Sequence, residues 1–265
     1  LRVLFVGDVN GKPGRTCLEK FLAKSKNSGV NYDFIVANAE NAAGGFGLTR
    51  DVSRSIFSLG VGCQTSGNHI WDKKEILSFF EDEPRLLRPA NYPSEAPGHG
   101  YNIYELDDGN NIGVINLQGR IFMWNIDCPF KTADRIIPEI AEKANIIIVD
   151  FHAEATSEKQ ALGRYLDGRV SAVIGTHTHV QTADDRILPG GTAYITDAGM
   201  TGPYDSVIGI EVEDALYRII TAVPNRFTVA RGDVRFAGID MEIDYATGKT
   251  LSMKRIFESS PDYDE

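Results

Sequence analysis

Eight polar side chains stand out by type and by position: Asp8, Glu40, Asn41, Asn68, His69, His152, His177 and His179. Each follows a short apolar run. Arg2 to Gly7 leads to Asp8, and Phe34 to Ala37 leads to Glu40 and Asn41. Val61 to Ser66 leads to Asn68 and His69, Asn145 to Phe151 to His152, and Val170 to Gly175 to His177 and His179. If these runs are strands of an open α/β sheet, ligands bind outside their carboxyl ends. One Asp, one Glu, two Asn and four of the five histidines would then meet there. His177 and His179, two residues apart in an extended segment, would face the same side.

Each residue alone has an ordinary reading. Asp8 suits a helix N-cap, Glu40 a surface ion pair, Asn68 a turn after Gly67, and His152 a buried, satisfied ring. The set asks for more. Mixed nitrogen and oxygen donors without thiolate suit Mn, Fe or Zn and argue against a Cys-rich structural zinc site. The donors outnumber the needs of one tetrahedral ion. Two divalent ions about 3.5–4 Å apart, bridged by a carboxylate, would use them all. Such a pair clamps the oxygens of an in-line displacement at phosphorus and activates a bridging hydroxide.

Composition bounds the alternatives. The chain has 265 residues, 42% hydrophobic and 24% charged, which is globular and excludes disorder or a collagen-like chain. Lys and Arg number 27 against 37 Asp and Glu, a net charge of −10, so stable duplex nucleic-acid binding is not expected. A small phosphate substrate is compatible, because a local metal charge overrides the global sign. Cys17, Cys63 and Cys128 are widely spaced and lack a C-x-x-C pair, which suggests buried thiols in a reducing, cytoplasmic compartment. No apolar run approaches the roughly 18 residues of a membrane span. The opening run reaches Gly7-Asp8 too soon for a signal peptide. The Gly-x-Ser-x-Gly elbow of a Ser-His-Asp hydrolase is missing.

The positioning elements follow from periodicity. A helix after Gly14 places Cys17, Leu18, Phe21 and Leu22 on one face. Thr49 or Asp51 caps a helix to Leu59, and further helices are expected at Lys73–Phe80, Lys131–Lys143, Ser157–Leu166 and Ala215–Val223. Tyr101–Leu106 and Asn111–Leu117 flank Asp107-Asp108-Gly109-Asn110, a hairpin signal. Arg226 to Phe257 reads as antiparallel strands with turns at Arg231-Gly232-Asp233 and Ala246 to Lys249. These give an α/β fold of mixed sheets flanked by helices, one domain over 1–258 and a polar tail over 259–265.

Gly7-Asp8-Val9-Asn10, Gly67-Asn68-His69, His152 and Gly175-Thr176-His177-Thr178-His179 resemble the ordered motifs of calcineurin-like metallophosphoesterases. Two departures stand out. Asn10 replaces the usual His of the first motif, and Ala39-Glu40-Asn41 replaces the usual Gly-Asp. Both departures, with the stretches 7–15 and 37–45 and Thr196 to Pro203, resemble the bacterial YmdB-like branch.

That resemblance implies a layered fold and hydrolysis of small cyclic nucleotides, 2′,3′-cyclic and also 3′,5′-cyclic. It implies that Glu40 bridges both ions. Asp8, His179 and Asn41 hold the first ion, and Asn68, His152 and His177 the second. His69 is implied not to be a ligand; it would protonate the leaving oxygen as general acid, or orient a ligand instead.

Other readings stay open at this level. The same metal pair serves a phosphomonoesterase such as a nucleotidase, or a non-enzymatic regulatory scaffold. Ala42 to Gly47 offers backbone amides to a phosphate, or is a plain turn. Asp197 to Pro203 is read as pocket-lining. Arg120, Phe122 and Trp124 stack a base, form an oligomer contact, or simply pack. A homo-oligomer is expected on base rates.

Overall fold

The computed structural model describes residues 1–260. Two β-sheets lie face to face, with helices on their outer sides. The first carries β1 (Arg2–Val6), β2 (Asp8–Val9), β3 (Phe34–Asn38), β4 (Cys63–Thr65), and three strands from late in the chain, β11 (Met200–Asp205), β12 (Gly232–Ile243) and β13 (Thr250–Ser259). Its order is β2-β11-β12-β1-β3-β4, with β13 on β12. The second carries β5 (Tyr101–Glu105), β6 (Asn111–Gln118), β7 (Ile146–His152), β8 (Ala172–Thr176), β9 (Arg186–Ile187) and β10 (Ala193–Ile195), ordered β5-β6-β7-β8-β10-β9.

Strand alternation builds the layers. Val3 and Phe5 of β1 pack against Ile146 and Ile148 of β7 in the core between the sheets. The opposite faces, Leu4 and Val6 on one side and Ile147 and Val149 on the other, pack under helices. Leu18 and Phe21 of α1 (Gly11–Asn27), Ile56 of α2 (Arg50–Ser58) and Phe79 and Phe80 of α3 (Ile76–Asp82) cover the first sheet. Ile136 and Ile140 of α4 (Pro129–Ala141) and Leu162 and Leu166 of α5 (Thr156–Leu166) cover the second. The expected α/β class with mixed sheets and flanking helices is therefore what the chain adopts.

The functionally important consequence is polarity. β1, β3 and β4 run parallel in one sheet, and β6, β7, β8 and β10 run parallel in the other. The loops after β1, β3, β4, β7 and β8 bring their residues to one place.

Helix α1 starts four residues earlier than its apolar spacing indicates. Pro13 is tolerated because the first-turn N–H groups have no intrahelical acceptor. Gly14 is required there, since a Cβ would collide with the Thr201 carbonyl of β11. The Asp107–Asn110 turn does join an antiparallel pair, β5 and β6. The Ala246–Lys249 turn joins β12 and β13, whereas Arg231-Gly232-Asp233 sits at the start of β12. β13 continues through Ser259, the first residue of the expected tail, and residues 261–265 of that tail lie outside the described residues. No helix among the described residues is long and apolar enough to cross a membrane.

Helix α6 (Val212–Thr221) buries only Ala215 and leaves Ile219 and Ile220 more than 70% exposed. The Thr49 Oγ1 accepts from the Val52 N–H at 3.3 Å, capping α2. Thr49→Ala is expected to lower stability by about 1 kcal/mol, seen as a lower urea midpoint at unchanged slope; an unchanged midpoint would remove the cap from the account.

Candidate metal centre

Asp8 opens β2 directly after β1 and is fully buried. Its Oδ2 accepts from the His177 backbone N–H at 3.2 Å. Its Oδ1 is buried without a hydrogen-bond partner, 3.8 Å from His179 Nε2. Glu40, just beyond β3, accepts the His69 N–H on Oε2 at 2.9 Å and sets Oε1 3.0 Å from His152 Nε2. The Asn41 amide lies 3.2 Å from His179 Nε2, and its Oδ1 is likewise buried and unpartnered.

Asn68 Oδ1 lies 3.1 Å and His177 Nδ1 3.0 Å from that same His152 Nε2. Glu40, His152 and His177 thus form a group whose ligand atoms all lie within 4.8 Å of one another.

Hydrogen bonds on the far sides of the rings decide what faces inward. His152 Nδ1 is 3.0 Å from Thr176 Oγ1, and that hydroxyl donates to Asp150 Oδ1 at 2.7 Å. A hydroxyl has one proton, so Thr176 accepts from Nδ1–H of His152. His179 Nδ1 donates to the Ile208 carbonyl at 2.8 Å. His177 Nε2 faces the Glu154 carboxylate at 3.1 Å. Each ring is therefore arranged to keep a proton outside and turn its other nitrogen to the cluster, as metal-ligating histidines do. Carboxylate, amide and imidazole acceptors then crowd together with two orphaned oxygens, a combination that a cation satisfies and few other groups can. The donor set fits divalent metal.

The electrostatics agree. Burial pushes the Glu40 carboxyl up, but the His152 ring more than offsets this and brings it down to about 2. Burial pushes His152 down, and Glu40 overrides it and raises the ring to about 9. Burial and then the His152 charge hold His177 down at about 2, so it is neutral. Burial raises the Asp8 carboxyl above its usual range. Cation binding would displace the proton shared by Glu40 and His152, so binding releases acid.

His69 stands apart from this group. Its Nδ1 is 3.0 Å from Asp72 Oδ2, its ring rests edge-on against Phe46 at 5.1 Å, and the side chain is about 31% exposed. It lines a cavity of about 80 Å³ together with Glu40, Asn41, His177 and His179. All eight residues singled out by type and position thus surround one site, with His69 at its solvent side.

Three expectations change. His177 and His179 are not extended: both have positive φ, 102° and 65°. They reach the site through a turn that Asp197 holds, its Oδ2 accepting from Thr178 N at 3.0 Å and Thr178 Oγ1 at 2.8 Å. Asp197 is not among the residues lining the small cavity; it is fully buried in an ion pair with Lys159 at 2.7 Å. Ordinary packing fails for Phe122 and Trp124, which are 89% and 71% exposed. They border an open cleft of about 500 Å³ shared with Asn68 and His177. Gly44, Gly45 and Gly47 form a tight turn at positive φ, and Gly45 lines the small cavity.

The supporting shell could not be singled out from sequence. Asp150 is buried beneath the centre, accepts from Asn38 Nδ2 at 3.0 Å and from Thr65, and is raised by burial to about 6. Gly67 is needed because a Cβ would overlap the His152 ring. Thr176→Val should leave the fold intact and weaken metal binding by about 10- to 100-fold. Competition with a chromogenic chelator would measure this, and unchanged affinity would discard the Thr176 role.

A layered sandwich of this kind, with acid, amide and imidazole donors at facing strand ends, is the metallophosphoesterase fold. Residues 4–256 match the YmdB-like protein family, and the chain belongs to it. It is 51% identical over 256 residues to the 2′,3′-cyclic-nucleotide 2′-phosphodiesterase of Bacillus subtilis strain 168, covering 97% of this chain and 96% of that one. A solved hypothetical protein of Thermus thermophilus matches with a TM-score of 0.92 and 44% identity, over 98% of this chain and 100% of that one. A novel phosphatase of Mycoplasma pneumoniae matches at 0.91 and 35%, over 99% and 95%.

Proposed function

We propose that this chain is a dinuclear metal-dependent phosphodiesterase that hydrolyses 2′,3′-cyclic nucleotides. The observation that carries the reading is the convergence of Glu40, Asn68 and His177 on His152, with His69 alongside but outside the group. The similarity to the Bacillus subtilis enzyme supports the substrate class.

Asp8, Asn41 and His179 would hold one divalent ion, and Asn68, His152 and His177 the other, with Glu40 between. When bound, Mn or Fe ions supply Lewis acidity and lower the pKa of water. The residues around them would hold the phosphodiester in place. The leaving group is a ribose alkoxide, a poor one, so a proton donor is needed. Asp72 accepts from Nδ1–H of His69, which leaves Nε2–H of the imidazolium to protonate the departing 2′-oxygen. P–O2′ cleavage leaves a 3′-phosphate.

Chelator-treated protein should be inactive and recover with Mn(II) or Fe(II). Reconstituted protein should hydrolyse 2′,3′-cyclic AMP to the 3′-phosphate, with 3′,5′-cyclic AMP assayed beside it. It should also favour bis-p-nitrophenyl over p-nitrophenyl phosphate. A strong preference for the monoester would replace this reading with a phosphomonoesterase.

A further inference from the structure

A second, larger hollow lies beside the centre. A groove of about 900 Å³, within the size range of ligand sites, is lined by Lys12, Lys20, Arg226, Arg231 and Phe227. None of the described residues lining it is acidic, although the whole chain carries a charge of −10. Its floor includes the start of the 17-residue helix α1, whose first turn has no acidic residue, so the helix dipole adds to the positive field.

The groove adjoins the catalytic cavity. Thr228 and Val229 wall both, and Gly44 of the groove precedes Gly45 of the cavity. Aromatic rings join them: Phe46 packs on His69, and Phe227 stacks on Phe46 at 6.0 Å and 23°.

A cyclic mononucleotide has one phosphate, and the metal centre takes it. A basic groove next door matches the further phosphates of a longer substrate. We propose that this groove binds the backbone of a single-stranded oligoribonucleotide whose 3′ end carries the 2′,3′-cyclic phosphate; the inference rests on the cyclic phosphodiesterase reading. Phe227 offers a face to a base, and the four cations follow the phosphates, as in other single-strand sites.

The reaction class that supplies this substrate is RNA transesterification. A ribose 2′-oxygen attacks the adjacent phosphorus, P–O5′ breaks, and the 5′-oxygen leaves with the proton. Water then adds at phosphorus here, P–O2′ breaks, and the 2′-oxygen takes a proton, leaving a 3′-phosphate end.

The test compares 2′,3′-cyclic AMP with a trinucleotide ending in the same cyclic phosphate, on full-length metal-loaded protein. The trinucleotide should show kcat/KM higher by about tenfold or more, mostly through KM, the size expected for one stacked base. Its log–log salt slope should steepen by about 0.7 for each extra phosphate bound. R226Q/R231Q should erase the preference and leave the mononucleotide rate unchanged.

Anisotropy with a fluorescein-labelled oligoribonucleotide separates the two readings. Binding that R226Q/R231Q abolishes supports the groove even if no cyclic phosphate is hydrolysed. Mononucleotide hydrolysis with no oligonucleotide preference and no binding overturns the groove and leaves the enzyme reading standing. Equal losses on both substrates in R226Q/R231Q overturn it too.

Discussion

His69→Ala retains its full metal content and loses about 10²- to 10⁴-fold in kcat on 2′,3′-cyclic nucleotides, the usual contribution of a positioned general acid. The geometry makes the two outcomes separable. His69 lines the cavity but lies outside the close Glu40, His152 and His177 group. Its hydrogen bond to the site runs from its own backbone N–H to Glu40, which alanine preserves. Bis-p-nitrophenyl phosphate has a leaving group that needs no proton, so its rate should fall far less. An equal loss on both substrates would make His69 a positioning residue. Lost metal with a normal rate after reconstitution would end the general-acid role.

Lys159→Met should destabilise the protein by about 3–5 kcal/mol, because it strands the Asp197 carboxylate in the interior. For a chain of this length that is a drop in melting temperature on the order of 10 °C. Both partners are fully buried, so neither can turn to water. Asp197 keeps the Thr178 and Gly199 donors, which hold the cost toward the lower end. Because Asp197 ties down the turn carrying His177 and His179, metal affinity should fall along with stability. Calorimetry and metal titration on the same variant check this. A melting shift under about 2 °C would mean that the pair is energetically idle.

The strand-end residues were legible because each follows an apolar run that ends in something no core would choose. Asp8, Glu40, Asn68 and the histidines advertise themselves by being polar where the pattern says the strand should stop. Their partners carry no such mark. Asp150 sits inside the β7 run, Thr176 ends a strand as any threonine does, and Lys159 occupies a helical position that looks solvated. Only the folded chain shows that all three are buried.

β11 gives no strand signal because Gly202 and Pro203 are poor strand formers. The strand tolerates them because Gly202 and Pro203 pair only with β12 on one side. The extended geometry expected of His177 and His179 failed for a local reason. Asp197 and Thr178 hydrogen bonds favour a left-handed turn over continuation of β8. The fold class was readable from alternation and periodicity; the order of strands was not, since it depends on pairings across more than 200 residues.

One such pairing bears on how the protein is made. β1 lies between β3 and β12, with Phe5 opposite Ile239 and Val6 opposite Gly238. In a growing chain, every proposed ligand through His179 leaves the ribosome before β12 exists to seal that side of β1. Until then the nascent domain carries an open strand edge beside its unfinished centre, a state in which edges invite mispairing. Translation products that stop short of β12 would therefore hold every proposed ligand, yet lack the strand that joins β1 to β11, on which Asp8 pairs.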